Sequence, residues 1–336
     1  MKNEAGSPKT LAEIFDETFI AAEQGNADAQ FSLGEVCMNN RGMVRNDAQA
    51  VGWFRKAAEQ GHAEAQFYLG WMYDNGRGVE KDETQAAVWY HKAAELGHAE
   101  AQIELGLMYN AGRGVAKDHA QAEDWYRKAV GWYRATAEQG DADAQYMLGW
   151  LYQWGHGIEQ DYVQAAAWYC KASEQGNGDA SLQLSLMYEN GLGVEEDEEQ
   201  AAVWFRKAIE QGCDDAINYI GGVYANEWRD RRGDEEVACL HKAAEQGNEI
   251  AQIWLGDMYA ESHGVEKDEV QAVAWYRRAA ERGHPDAQFN LGKMYAEGRG
   301  VAKDEVQATE WFRKAAAQGQ ADAQEALRTG SSQEQP

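Results

Sequence analysis

The feature that most restricts this chain is an internal repeat. The string AQFYLGWMY, which begins at Ala65, returns as AQIELGLMY, AQYMLGWLY, AQIWLGDMY and AQFNLGKMY. Starting each unit two residues before this string, or before its equivalent, gives Ala27, Ala63, Ala99, Ala142, Gly178, Asp214, Glu249 and Pro285. The intervals are 36, 36, 43, 36, 36, 35 and 36 residues, and a truncated ninth unit opens at Ala321. A unit this short cannot bury its own apolar face, so neighbours must stack into one continuous core.

Each unit carries two helix signatures. In the second, Ala65, Leu69, Met72 and Tyr73 fall on one helical stripe, the spacing of an amphipathic helix. Gly76-Arg77-Gly78 breaks it. Asp82 then stands as N-cap with Gln85 three residues on, a capping-box spacing, and Ala86, Trp89, Tyr90 and Ala93 form the second stripe. Gly97 closes that helix as a left-handed cap. Gly70 recurs at Gly34, Gly106, Gly149, Gly221, Gly256 and Gly292, with Ser185 as the exception. A glycine inside a helix costs about 1 kcal/mol against alanine, so its recurrence predicts close helix–helix approach.

The blocks A-x-A-Q-x-x-L-G-x-M-Y, G-x-G-V, D-x-x-Q-A and W-Y/F-x-K-A-A-E-Q-G resemble the Sel-one-like repeat family, relatives of the tetratricopeptide repeats. The resemblance runs from Ala27 to Gln320. It implies an all-α fold, a right-handed α/α superhelical solenoid of about eight helix-turn-helix repeats, used mostly in bacteria as a scaffold or adaptor. It implies no cofactor and no shared reaction. The expected organisation is an N-terminal segment over 1–26 with a capping helix at Leu11–Gln24, eight repeats over 27–320, and a partial capping helix and disordered tail over 321–336. A disulfide-rich secreted branch of the family pairs cysteines within each repeat. Cys37, Cys170, Cys213 and Cys239 fall at four different repeat positions and read as reduced thiols.

Two units depart from the pattern. The third reads WYRKAVGWYRATAEQG, with Trp125 and Trp132 seven residues apart. Seven residues make about two helical turns, so the helix lengthens with little rotation of its apolar stripe. This predicts a local change of stacking or a projecting helical end; a neutral duplication is the alternative. The sixth unit reads ANEWRDRRGDEEVACL between Tyr224 and His241, with a basic cluster at Arg229, Arg231 and Arg232. It is either a hinge or contact loop, or a decayed repeat held by its neighbours.

Binding residues are sought where the scaffold makes no demand. Of 13 Trp, seven share one second-helix slot and belong to the core: Trp53, Trp89, Trp125, Trp168, Trp204, Trp275 and Trp311. Trp71, Trp132, Trp150, Trp154, Trp228 and Trp254 do not. In related α/α repeats the first helix of each unit lines the concave surface. There, Tyr68 with Trp71, and Met147 with Trp150 and Trp154, share faces at helical spacing; Tyr219 and Trp254 lie three residues before the same slot. Toward the C-terminus this face turns acidic through Asp257, Glu261 and Glu297. Surplus aromatics on a concave face predict a binding hot spot; packing against adjacent first helices is the competing reading.

The net charge of −26, with sequence pI near 4.6, either simply keeps the chain in solution or bears on the partner class. Such a field repels nucleic-acid backbones and anionic lipid and attracts basic proteins. The expected partner is a protein or peptide with apolar anchors and flanking Lys/Arg, bound by a monomer. The N-terminus MKNEAGSPKT lacks an apolar h-region and no run approaches the ~20 apolar residues of a bilayer span, so the expected location is the cytoplasm. The Gly-Arg-Gly turns lack the strand and Lys-Ser/Thr of a phosphate loop. His62, His98 and His284 share a loop slot by coincidence of the repeat. No HExxH, G-x-S-x-G or metal-spaced Cys/His group is present. The expectation is a non-enzymatic scaffold without metal or cofactor. The alternative is a dedicated inhibitor, immunity or antitoxin-like, that masks a basic effector.

Overall fold

The computed structural model describes residues 11–38, 46–226 and 233–331, and these are helical with no strand. An opening helix α1 (Leu11–Glu23) precedes a strict alternation of first and second helices. The first helices are α2 (Ala27–Met38), α4 (Ala63–Asn75), α6 (Ala99–Ala111), α8 (Ala142–Trp154), α10 (Gly178–Asn190), α12 (Asp214–Asn226), α14 (Glu249–Glu261) and α16 (Pro285–Glu297). The second helices are α3 (Asp47–Glu59), α5 (Glu83–Glu95), α7 (His119–Glu138), α9 (Tyr162–Glu174), α11 (Glu198–Glu210), α13 (Gly233–Glu245), α15 (Glu269–Glu281) and α17 (Glu305–Ala317). A last helix, α18 (Ala321–Ser331), follows. The fold is an all-α repeat solenoid. The chain divides into two compact units, Met1–Asp161 and Tyr162–Pro336. Within each, most first helices pack on their own second helix, which packs on the next first helix; in the second unit α12 instead packs on α11 and α14, and α13 on α11 and α14. Trp228, Arg229, Arg231 and Arg232 lie outside the described residues.

The recurring residues have separable jobs. Tyr90 is fully buried, and a Cβ on Gly70 would meet its ring at 2.8 Å; glycine is what lets the two helices meet. The glutamine of each Ala-Gln pair is also structural. Gln66 Nε2 donates to the Ala58 carbonyl at 3.0 Å, Gln102 to Ala94 at 3.1 Å and Gln252 to Ala244 at 2.9 Å. Each adds a bond to a carbonyl at the end of the preceding helix, which also accepts the N–H of the closing glycine. Asp82 Oδ1 accepts the N–H groups of Thr84 and Gln85, both at 3.0 Å. The other half of the capping box is filled differently: the Asp82 N–H donates to the Tyr73 carbonyl at 2.9 Å, tying the two helices of one repeat together.

Two expectations are refined. The repeated tryptophans sit at the rim of the core: Trp89, Trp125 and Trp275 are buried, while Trp53, Trp168, Trp204 and Trp311 are half-buried. Each carries a cation on its ring, as Lys92 does 3.8 Å from the Trp89 centroid and Lys128 3.5 Å from Trp125, a contact that stabilises by about 0.5–1 kcal/mol at an exposed rim. The histidines before first helices are not incidental. Nδ1 of His62 and of His98 accepts the N–H of Ala65 and of Ala101, each at 3.2 Å, so both are N-caps. The same slot holds Asp141, Asn177 and Asn248, which cap in the same way. His284 makes no such bond.

The insertion in the third repeat makes α7 one continuous helix of 20 residues where its neighbours have 13. Of the two expected effects, the change of stacking is the one the structure shows. On one side α6 keeps the ordinary register, with Gly106 against Tyr126. On the other, α8 is displaced. The second glycine of a Gly-x-Gly turn ordinarily rests on the first residues of the preceding second helix, as Gly78 does on Asp47 and Gly114 on Glu83. Gly157 instead rests on Tyr126 and Arg127. Seven residues at ~1.5 Å each make a step of about 10 Å along the helix. The extra turns are used: Tyr133 and Ala137 are buried, and Ala99 and Ile103 of α6 are buried where Ala63 and Phe67 of α4 are only half-buried.

Candidate protein-binding surfaces

In the first unit the sequence-predicted residues fall in two places with different surroundings. Tyr68 is half-buried, its ring stacked on Phe54 at 5.3 Å and 5.6 Å from Phe31. Trp71 is half-buried against the cores of two successive repeats. The Arg77 guanidinium lies 4.8 Å from its ring centroid and forks onto Asp47 at 3.0 and 3.1 Å. Both aromatics therefore pack between repeats as well as facing outward. On α8, Met147 and Trp150 are half-buried, with Trp150 5.1 Å from the His156 ring. Trp154 is 57% exposed and is the most open residue of this group. Trp132 is 46% exposed, edge-on to Tyr133.

Between α4 and α8 the face turns polar in a way the sequence reading missed. Glu104 occupies on α6 the slot that holds Tyr68 on α4 and Met147 on α8. Burial pushes its carboxyl above the usual range, the Asp74 carboxylate adds to this, and Arg113 opposes it. Arg113 is held by Asp74 at 3.2 Å. The available signal was an acidic residue in a slot that is aromatic or Met in four other repeats (Tyr68, Met147, Tyr219 and Trp254).

In the second unit Tyr219 is 65% exposed, edge-on to Phe205 at 5.6 Å. The Trp254 indole N–H donates to Asn218 Oδ1 at 3.2 Å. Trp254, Asp257 and Glu261 come together with Tyr276, Asn290, Lys293 and Arg299 around one pocket of about 310 Å³. Tyr219 is not part of it. Asp257 Oδ1 accepts the Tyr276 hydroxyl at 2.5 Å and Asn290 Nδ2 at 3.4 Å. Burial raises the Asp257 carboxyl above its ordinary range, against the lowering effect of the Tyr276 bond. Glu297 joins indirectly: Arg299 lies 3.6 Å from it, 3.0 Å from Glu261 and 2.9 Å from Glu269.

Among the described residues, no group of three or more His, Cys, Asp or Glu converges to hold a metal, and no helix is long and apolar enough to cross a membrane. The four cysteines are free. Burial pushes the Cys213 thiol up to about 12 and the Cys239 thiol up to about 11, which leaves both as poor nucleophiles. These surfaces offer aromatic area, carboxylates and hydrogen-bond acceptors.

The family model described as Sel1 repeat matches residues 27–62, 63–98, 99–141, 142–177, 178–213, 237–248, 250–284 and 285–320. The chain belongs to the Sel1 repeat family. Sel1 repeat proteins are protein-interaction scaffolds, and the fold is typically non-catalytic. The match is interrupted between 213 and 237, where the sixth unit departs from the pattern. Among solved structures the chain is similar to a Sel1 repeat protein from Oxalobacter formigenes, with 32% identity over 98% of this chain and 96% of that one and a TM-score of 0.42. It is also similar to a protective antigen of uropathogenic Escherichia coli with an SLR fold, at 31% identity, 98% and 84% coverage and a TM-score of 0.40. An immunity protein from Pseudomonas aeruginosa matches at 25% identity, 70% and 83% coverage and a TM-score of 0.42. No curated protein matches.

Proposed function

We propose that this Sel1 repeat chain is a non-enzymatic adaptor that holds a partner protein against its first helices. The partner presents apolar anchors and basic side chains. The observation that carries this reading is the placement of Trp254 beside Asp257 and Glu261 around one pocket, an aromatic surface next to carboxylates in a chain of net charge −26. Large aromatic area in a desolvated centre supplies most of the binding energy of an interface, and the surrounding charge sets the partner and its rate of encounter. In the first unit the open Trp154 and half-open Trp150 supply the apolar counterpart.

The test is capture of partners from native lysate on the full chain, beside a Trp150→Ala/Trp154→Ala variant checked for equal helicity. Trp71 is left intact because it packs between two repeats. Loss of a captured partner by the folded variant supports the adaptor face on α8. Retention of every partner refutes it there. The charge also favours a second reading, an inhibitor that masks one basic effector. A tight one-to-one complex whose association rate falls steeply with salt separates that reading from an adaptor with several weaker partners.

A further inference from the structure

We infer that the pocket formed by α14, α15 and α16 is a receptor for one guanidinium-bearing side chain of the bound partner. This rests on the reading of the chain as a protein-binding adaptor and states what the partner must place there. A cavity of about 310 Å³ stands at the lower end of the range for ligand pockets, room for a single long side chain. Its lining combines the Trp254 indole, Met258 and Met294 with the carboxylates of Asp257 and Glu261.

The charge around the cavity is unbalanced. Asp257 Oδ1 is occupied by Tyr276 and Asn290. Among the described residues, Oδ2 of the same half-buried carboxyl has no hydrogen bond and no ion pair. Neither neighbouring cation supplies one. Arg299 is engaged by Glu261, Glu269 and Glu297 and by the Ala260 carbonyl at 3.0 Å. Among the described residues Lys293 makes no ion pair, and its ammonium lies 5.7 Å from the Phe289 ring centroid. The carboxylates of Asp257, Glu261, Glu269 and Glu297 outnumber the cations of Lys293, Arg299 and Lys267, the last of which pairs with Glu269 at 3.0 Å. A carboxylate withdrawn from water without a paired cation is unfavourable, and burial holds Asp257 above its ordinary range.

A guanidinium answers each of these features. Its N–H groups reach the open Oδ2, its plane stacks on the indole, and its apolar stem lies against the methionines. An anionic occupant would have to approach several carboxylates at the cost of Coulomb repulsion. The chain's own Lys293 is the natural competitor for Asp257, so its removal tightens the site.

The experiment uses the full chain labelled with ¹⁵N and two probes, acetyl-arginine N-methylamide and its uncharged analogue acetyl-citrulline N-methylamide. The Trp254 indole N–H resonance is assigned by its loss in Trp254→Phe. The arginine probe is expected to shift that resonance saturably and at least about 10-fold more tightly than the citrulline probe, about 1.4 kcal/mol. Asp257→Asn, which keeps an acceptor for Tyr276, is expected to abolish the preference, and Lys293→Gln to tighten arginine binding. Equal response to both probes, no saturable shift with either, a preference that survives Asp257→Asn, or weaker binding in Lys293→Gln overturns the proposal. Single amino-acid probes need no partner protein. A failure here alongside partner loss in the Trp150→Ala/Trp154→Ala variant removes this pocket and leaves the adaptor reading standing.

Discussion

One substitution made at two sites tests how the third repeat is packed. In Gly106→Ala the new Cβ would meet the Tyr126 ring edge, with Cδ1 at 2.7 Å and Cζ at 2.9 Å. Ordinary carbon contacts lie near 3.5–4.0 Å, so about 1 Å of separation is needed. Tyr126 has little room to give: it is 1% exposed, and His156 stacks on it at 4.3 Å. Overpacking of this kind costs ~1–3 kcal/mol, and replacing a helical glycine returns about 1 kcal/mol. The expected net is a destabilisation of up to about 2 kcal/mol by the same principles. Gly131 is also inside a helix, α7, but a Cβ there meets nothing within 4 Å. Gly131→Ala should therefore stabilise, by up to about 1 kcal/mol. Urea unfolding followed by circular dichroism should move the two midpoints in opposite directions. A Gly106→Ala midpoint at or above wild type would refute the close approach on which the register of α6 and α7 rests.

Further outcomes follow from single groups. Burial lowers the His156 pKa, so the folded state refuses a proton that the unfolded chain accepts. His156→Phe should keep the stack on Tyr126 and gain stability over wild type as pH falls from about 7.5 to about 5.5, and a constant difference in denaturant midpoints would contradict this. The Asp257 carboxyl is raised, so wild type loses stability as pH rises from the ordinary carboxylate range through the folded value. Asp257→Asn should be more stable than wild type near pH 7 and lose that advantage toward pH 4, as melting curves at the two pH values would show. Ser262 has φ 64° where the equivalent turns use Gly76, Gly112 and Gly298, so Ser262→Gly should stabilise by about 1 kcal/mol, read as a rise in Tm. Of the four thiols only Cys170 is half-buried, and it should alkylate first in the folded protein when sites are mapped by mass spectrometry.

The repeat boundaries and helix types were legible because they depend on residues within one unit: the apolar stripes, Asp at the second-helix caps and glycine in the turns. The histidine caps were equally local and could have been found, since Asp141, Asn177 and Asn248 share their slot. The role of the glutamines was hidden because each partner carbonyl belongs to the preceding repeat. The same reason separates the candidate site from its sequence reading. Spacing places Tyr68 and Trp71 on one face, but the rings and the arginine that half-cover them come from other helices or the following turn. Asp257 and Glu261 were visible as acidic positions; Tyr276, Asn290 and Lys293, which turn them into a pocket, come from the next two helices. Periodicity reports which way a residue faces, and burial on that face is decided by side chains far away in sequence.

The extended α7 has a further consequence, best put in the language of lattices. On one side α6 meets α7 in the ordinary register, and on the other α8 meets it seven residues further along. A binding partner that advances by a constant distance from one first helix to the next can be in phase with α4 and α6, or with α8, but not with all three. To engage Trp71 and Trp154 together, the partner needs a jog of its own, about 10 Å long. If the first helices hold the partner as proposed, the seven extra residues act as a phase filter that selects by the spacing of its anchors and excludes evenly spaced ones.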